Sequence, residues 1–148
     1  MRVELDWPEA AIAAQVGMRR QIEALRQHRP DRHGFDGEDG WTIHIEGAAG
    51  EMAVAKLRNR YWNGSVNTFK TGGDVGAVQV RTRSKAHYDL IVRDDDRNDD
   101  AFFLVIGRIP VFDVVGWIKG RDAKRPEWLQ TYGERPPAYF VPQSALTL

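Results

Sequence analysis

The chain of 148 residues contains no cysteine. Disulfide scaffolds, cysteine-based zinc fingers and thiol catalysis are therefore excluded. The chain also lacks any apolar run that approaches the ~20 residues needed to span a membrane. Residues 1–4 are not followed by the apolar stretch of a signal peptide. We therefore expect a cytoplasmic protein that makes no membrane contact.

Neither sign of charge is in excess, because 21 basic residues balance 21 acidic residues. Any binding to nucleic acid would therefore depend on local patches and not on overall attraction. Hydrophobic residues make up 42% of the chain, and its length is typical of one domain of ~100–150 residues. We predict a single globular domain that spans residues 1–148.

Two helices are predicted in the first part of the chain. Asp6 is typical of a helix N-cap and Pro8 of a first turn, so the first helix should begin there and end near Gln27. A polar loop should follow at residues 28–40. The second helix is predicted over residues 42–58, with a short strand at 41–45 as the alternative. One face of it carries apolar and small residues, namely Ile43, Gly47, Gly50, Val54 and Leu57. We expect Gly47 and Gly50 to lie closely against a strand.

The rest of the chain is rich in strand patterns. Strands are predicted at residues 66–70, 77–83, 88–93, 101–106, 111–118 and 139–141. In the second of these, Val78, Val80 and Thr82 should point one way and Gln79, Arg81 and Arg83 the other. We predict an α+β fold, with a mostly antiparallel or mixed central sheet of about five strands flanked by the two N-terminal helices.

Three segments carry the residues that could take part in catalysis or metal binding. Glu51 lies on the second predicted helix, Asp74 lies in the glycine-rich turn 71–76, and Gln79-Val80-Arg81 lies on the strand that follows. This order resembles the PD-(D/E)xK nucleases, also called restriction-endonuclease-like, in which a helical glutamate precedes an aspartate and a strand reading ExK or QxK. The resemblance covers residues 42–118. The chain also looks like small nuclease-like proteins of bacteriophages or prophages.

The resemblance implies a restriction-endonuclease-like core and hydrolysis of DNA phosphodiesters with Mg²⁺ or Mn²⁺. The metal ligands would be Glu51, Asp74, the amide oxygen of Gln79 and the backbone carbonyl of Val80, because Mg²⁺ prefers hard oxygen ligands. Arg81 would stabilise the phosphate and complete the catalytic site with Glu51, Asp74 and Gln79. The three side-chain ligands should then converge. A Glu51 on the opposite side of the sheet from Gln79 would contradict the nuclease interpretation.

The chain departs from the family pattern at two positions. Gln79 replaces an acid, which removes a negative charge and should weaken metal binding. Arg81 replaces a lysine and cannot act as a base, although it can still bind phosphate. Lys85 lies four residues farther on and could take over the role of the lysine.

Two basic patches are candidates for contact with nucleic acid. The first joins Arg81, Arg83, Lys85 and His87, and the second joins Lys119, Arg121, Lys124 and Arg125 with nearby tryptophans and tyrosine. Cations beside aromatic rings suit phosphate contacts and base stacking. We predict that Arg83, Lys85, Lys119, Arg121, Lys124 and Arg125 bind nucleic acid, with DNA as the partner. The sequence is also compatible with a homodimer.

Each motif also has a plainer interpretation. Glu51 could be a solvated helix charge, Asp74 a turn residue, and Arg81 part of the exposed face of an edge strand. Two other functions therefore stay open. One is a binding module of the same fold that has lost catalysis, and the other is a phage-derived protein-interaction factor without a nucleic-acid role.

An acidic segment resembles the start of a calcium-binding EF-hand loop. Its acidic and amide residues are Asp94, Asp96, Asn98 and Asp100. However, Asp99 stands where the loop requires glycine, and Val105 stands where it requires a bidentate glutamate. A solvated loop between two strands is the favoured interpretation.

Overall fold

A computed structural model describes residues 1–28, 39–66 and 73–148 of the chain. These residues form the predicted α+β fold. The elements are β1 (Arg2–Glu4), α1 (Trp7–Arg26), α2 (Gly40–Leu57), β2 (Val78–Arg83), β3 (Leu90–Arg93), β4 (Ala101–Arg108), β5 (Val111–Lys119), α3 (Gly120–Ala123), β6 (Leu129–Gln130) and β7 (Ala138–Val141). In this part of the chain, no helix is both long enough and apolar enough to cross a membrane. Residues 67–70 of the predicted strand 66–70 and residues 29–38 of the predicted loop 28–40 lie outside the described residues.

Helix α1 begins where its capping residue predicts. The Asp6 carboxylate accepts a hydrogen bond from the backbone N–H of Glu9 at 2.8 Å, and the Glu9 carboxylate accepts one from the Asp6 N–H at 2.8 Å. This reciprocal capping box satisfies two N–H groups at the helix start. Farther along, Gly17 lies directly against the backbone of Ile45. The glycine therefore lets α1 and α2 approach closely.

Helix α2 begins at Gly40, so the alternative of a short strand at 41–45 is wrong. The Asp39 carboxylate caps the helix by accepting a hydrogen bond from the Thr42 N–H at 2.8 Å. A Cβ added at Gly50 would overlap the hydroxyl of Thr82 on β2, as expected for a helix packed closely on a sheet. Gly47 differs, because nothing lies within 4 Å of its added Cβ. The prediction that both glycines pack against a strand is therefore wrong for Gly47.

The strands divide into two sheets. The first has the order β1-β5-β4-β2, in which β2 runs parallel to β4 and the other pairs are antiparallel. The second is antiparallel and has the order β3-β7-β6. The predicted mixed strand arrangement is present, but the strands predicted at 88–93 and 139–141 pair with each other in a separate sheet. Local sequence patterns can show that a segment is extended, but they do not show which other strand it pairs with.

The four-stranded sheet is the middle layer of the molecule. On β4, Phe103 and Val105 face the core shared with α2, while Phe102 and Leu104 face the core shared with the second sheet. Val105 and Leu104 are both 0% exposed. Burial on both faces explains why this strand is uniformly apolar. The strand β2 lies at one edge of the sheet, and that edge positions the candidate site.

Candidate metal centre

The turn before β2 places Asp74 against the edge of that strand. The Asp74 N–H donates to the Val78 carbonyl at 2.8 Å, and Gly76 takes the left-handed φ of 62° that the turn requires. The Asp74 carboxylate then accepts a hydrogen bond from the Val80 N–H at 2.6 Å. The N–H and C=O of one strand residue point to the same side. The Val80 carbonyl therefore faces the same edge as the Asp74 carboxylate.

Glu51 approaches Asp74 from the middle of α2. It is only 4% exposed. Burial, followed by the negative charge of Asp74, raises the pKa of Glu51 well above its ordinary value. Two carboxyl groups thus meet at the edge of β2, on the side that the Val80 carbonyl faces. Of the four ligands that the resemblance implies, the structure brings together Glu51, Asp74 and Val80.

Arg20 is a residue of this site that the sequence did not single out. Its Nη1 lies 2.5 Å from a Glu51 carboxylate oxygen, and its Nε donates to the Ser65 carbonyl at 3.0 Å. The guanidinium lowers the pKa of Glu51, but burial and Asp74 outweigh it. A single arginine on a helix forms no sequence pattern that would predict contact with the Glu51 carboxylate. Only the packing of α1 against α2 brings Arg20 to the acid pair.

The donor set suits a hard cation, although it is partial. Two carboxylates and a backbone carbonyl are the oxygen ligands that Mg²⁺ accepts, and Mg²⁺ commonly keeps several waters. Arg20 competes for one oxygen of Glu51. No group of three or more His, Cys, Asp or Glu side chains that could hold a metal occurs within residues 1–28, 39–66 and 73–148. The described residues alone would therefore hold a metal with few protein ligands.

Gln79 and Arg81 lie on the other face of the sheet. Val78 and Val80 pack into the core beneath α2, so the residues that alternate with them must face the second sheet. The Gln79 amide donates to the Asp100 carboxylate at 3.2 Å. Glu51 and Gln79 thus lie on opposite sides of β2, so the predicted convergence of the three side-chain ligands is wrong. The nuclease interpretation that joins Glu51, Asp74 and Gln79 in one site is therefore contradicted.

Arg81 is also engaged on that other face. Its Nη2 lies 2.9 Å from the Asp96 carboxylate, and its guanidinium lies 5.1 Å from the centroid of the Phe102 ring. The side chains of Arg81 and Asp96 are 21% and 19% exposed, so the pair is largely buried. In this arrangement Arg81 ties β2 to the acidic loop and does not lie beside Glu51 and Asp74.

The acidic loop at residues 94–100 is held by a lysine. The Lys124 ammonium donates to the carbonyls of Asp94 at 2.9 Å and Asp96 at 2.5 Å, and to the side-chain oxygen of Asn98 at 2.7 Å. The positive charge at the centre of this loop therefore comes from the protein itself. The predicted solvated loop between two strands is present, because Asp94, Asp95, Arg97, Asn98 and Asp99 are exposed between β3 and β4. Lys124 also holds this loop to the segment that follows α3.

The second predicted basic patch is largely committed to the same loop. Lys119 donates to the Asp99 carbonyl at 3.0 Å, and Arg121 pairs with the Asp99 carboxylate. The Arg125 guanidinium lies 5.0 Å from the centroid of the Trp128 ring. Lys119, Arg121 and Lys124 therefore present much less net positive charge to a polyanion than their sequence pattern indicates.

The first basic patch has a different environment. The Arg83 guanidinium lies 4.0 Å from the centroid of the Tyr88 ring and donates to the Asp89 carbonyl at 2.9 Å. The Lys85 ammonium lies 5.5 Å from the same ring centroid, and no ion pair involves it within the described residues. The Gln143 amide donates to the carbonyls of Ala86 and Tyr88 and fixes this turn. The tip of this basic turn, residues 85–87, is exposed, while Arg83 and Tyr88 are half-buried.

Comparisons with protein-family models, with curated proteins and with solved structures found no match to this chain. The likeness to the PD-(D/E)xK nucleases therefore rests on the motif residues alone.

Proposed function

We propose that the chain is a Mg²⁺- or Mn²⁺-dependent phosphodiesterase acting on DNA, with Glu51, Asp74 and the Val80 carbonyl as metal ligands. The observation that carries the proposal is the pairing of a buried glutamate with a second carboxyl group at the edge of β2. Two adjacent carboxylates repel each other unless a proton or a cation lies between them. A divalent cation would remove that repulsion.

Because the site that the motif implied is contradicted at Gln79, this proposal rests on a smaller site that leaves out Gln79 and Arg81. Gln79 and Arg81 become structural residues, because both are bound to acids on the other face of the sheet. Arg20 takes the place of the cation beside the site, since it is one-fifth exposed at 21% and contacts Glu51 directly. A guanidinium can bind a phosphate through two N–H groups. When bound, the metal would supply an activated water and positive charge for the transition state.

The test is cleavage of plasmid and linear DNA during a Mg²⁺ or Mn²⁺ titration. Asp74→Asn preserves the size of the side chain while removing its charge, and it should abolish both metal binding and cleavage. Gln79→Ala is the matched control, and it should retain both. Equal cleavage by the wild type and Asp74→Asn would reject this site. Loss of cleavage and metal binding in Gln79→Ala would instead restore the four-residue site.

A second candidate is a nucleic-acid-binding module without catalysis. It is supported by the ordered turn 83–88, where Arg83 and Lys85 both lie over the Tyr88 ring. Phosphate contacts of this kind make the affinity fall with added salt. Fluorescence anisotropy in chelator should then show DNA binding that weakens in Lys85→Ala. Lys119→Ala, whose ammonium contacts the acidic loop, should bind like the wild type.

The two candidates have separate outcomes. Metal-dependent cleavage that requires Asp74 supports the phosphodiesterase. Binding to DNA without metal, without cleavage and with dependence on Lys85 supports the binding module. A chain that binds neither metal nor DNA would favour the protein-interaction factor.

A further inference from the structure

Helix α1 carries an exposed apolar ridge along its whole length. The helix packs on α2 through Ala10, Ala13, Gly17 and Gln21, which are buried. Beside this buried face lies a stripe of residues spaced three or four apart, which is the spacing of one helix face. We call this stripe the α1 ridge, and it consists of Trp7, Ala11, Ala14, Met18, Ile22 and Leu25.

The large members of the α1 ridge are unusually exposed for apolar side chains. Trp7 is 71% exposed and Leu25 is 56% exposed. Between them, Met18 is 43% and Ile22 is 48% exposed. Scattered apolar residues on a surface need no explanation, but a contiguous apolar stripe marks an interaction surface. The α1 ridge is therefore a candidate interaction surface.

The order of side-chain sizes along the α1 ridge is self-complementary in an antiparallel pair. If a second copy of α1 lies antiparallel across the first, Ala11 of one copy faces Ile22 of the other. Ala14 then faces Met18, and Trp7 faces Leu25. Two of these pairings put a large side chain opposite an alanine, which is how side chains interdigitate between packed helices.

The charges at the two ends of α1 favour the same arrangement. The N-terminal end of α1 carries the cap Asp6 and Glu9, of which Glu9 pairs with Lys56 of α2, and the last turn carries Arg26. Antiparallel packing brings Arg26 of one copy close to the acidic end of the second copy, whereas parallel packing would place like charges together. Arg26 also contacts Glu23 of its own helix. That pair is on the surface, with Arg26 68% exposed, so it leaves the guanidinium accessible.

We propose that the chain forms a homodimer in which two α1 ridges pack antiparallel about a twofold axis. Such an interface is isologous, because each copy contributes the same surface. A helix of 20 residues is ~30 Å long. Two such helices would bury a small area when packed together, near the lower limit of ~1,200 Å² in total for stable interfaces. The dimer should therefore dissociate on dilution. This proposal is independent of the phosphodiesterase.

The first test is sedimentation of the full chain over a range of concentrations. Ile22→Glu places a charge on the α1 ridge, opposite Ala11 of the second copy, and should weaken the dimer by more than about tenfold. The matched control is Leu129→Glu, which changes a residue that is 46% exposed on β6, beyond the opposite face of the central sheet. This control should dimerise like the wild type. Circular dichroism checks that both variants fold.

The second test measures orientation by disulfide cross-linking. Because the chain has no cysteine, single cysteines can be introduced without background. A mixture of Trp7→Cys and Leu25→Cys should form a mixed disulfide, whereas Leu25→Cys alone should not cross-link. Rapid cross-linking of Leu25→Cys alone would reject the antiparallel arrangement. A wild type that stays monomeric at every concentration, or an Ile22→Glu variant that dimerises normally, would overturn the proposal.

Discussion

Two glycines one turn apart in α2 occupy opposite environments. A Cβ at Gly50 would overlap Thr82, whereas a Cβ at Gly47 would meet nothing within 4 Å. Gly50→Leu should therefore overpack the helix–sheet interface and lower the free energy of unfolding by about 1–3 kcal/mol. Gly47→Leu should be neutral or stabilising, because leucine is a better helix former than glycine. Urea unfolding of the two variants measures the difference. Equal midpoints would mean that Gly50 does not contact β2.

The ionisation of Glu51 should make the stability of the metal-free protein depend on pH. Burial and the charge of Asp74 raise the pKa of Glu51 in the folded state above its value in the unfolded chain. The unfolded state therefore loses this proton first as the pH rises, and the stability present at low pH is lost as the pH passes through the folded-state pKa. Glu51→Gln cannot ionise, so its stability should change less with pH.

The measurement is urea unfolding in the presence of a chelator, at several pH values between about 5 and about 8. The wild type should lose stability across this range relative to Glu51→Gln, and added Mg²⁺ should reduce the loss in the wild type only. Glu9→Gln serves as a control, because Lys56 lowers the pKa of Glu9. Parallel curves for the wild type and Glu51→Gln would show that Arg20 neutralises the buried charge completely.

Among the elements, those with local signals were predicted well. The capping residue Asp6 fixed the start of α1, and the alternation of residues 77–83 fixed β2. The pairing of strands was not predictable, because β3 and β7 are separated by 44 residues of chain between Arg93 and Ala138. β1 was also missed, because its three residues are too few to show a strand period.

The candidate site was predicted in part for a related reason. The family motif brought Glu51 and Asp74 together correctly, although no local pattern links a helix residue to a turn 23 positions later. The face of Gln79 was already contained in the sequence. Alternation put Val78 and Val80 on one face, and the helix carrying Glu51 had to cover that apolar face. The side chain of Gln79 therefore had to point away from Glu51.

Lys124 should contribute to stability by holding the acidic loop. Its ammonium satisfies two carbonyls and the side chain of Asn98. Lys124→Met keeps most of the aliphatic side chain but removes these hydrogen bonds. A hydrogen bond to a charged group contributes about 1.5–3 kcal/mol to stability. We expect a loss of about 1–3 kcal/mol, because Lys124 is only half-buried. Arg125→Met, which removes an exposed cation over Trp128, should cost less than about 1 kcal/mol. Equal losses in urea unfolding would contradict the clamp.

At the scale of the whole molecule, the four-stranded sheet is shared by two cores. One core joins it to α2, and the other joins it to the second sheet. Neighbouring residues of β4, such as Phe103 and Leu104, belong to different cores although they share one backbone. A strand cannot lose its packing on one face and keep its conformation for the other. The two cores should therefore form and break together.

Cooperative unfolding of both cores is the final prediction, and it tests the single domain expected from the sequence. Leu104 is 0% exposed in the core beside the second sheet, and Val54 is 0% exposed in the core beside the helices. Leu104→Ala should lower stability by about 2–5 kcal/mol because it leaves a cavity. In Leu104→Ala and in Val54→Ala, the helical signal in circular dichroism and the tryptophan fluorescence should lose their native values at the same urea concentration. If the tryptophan fluorescence of Leu104→Ala changes at a lower urea concentration while the helical signal stays at the wild-type midpoint, the second sheet unfolds separately and the chain contains two units.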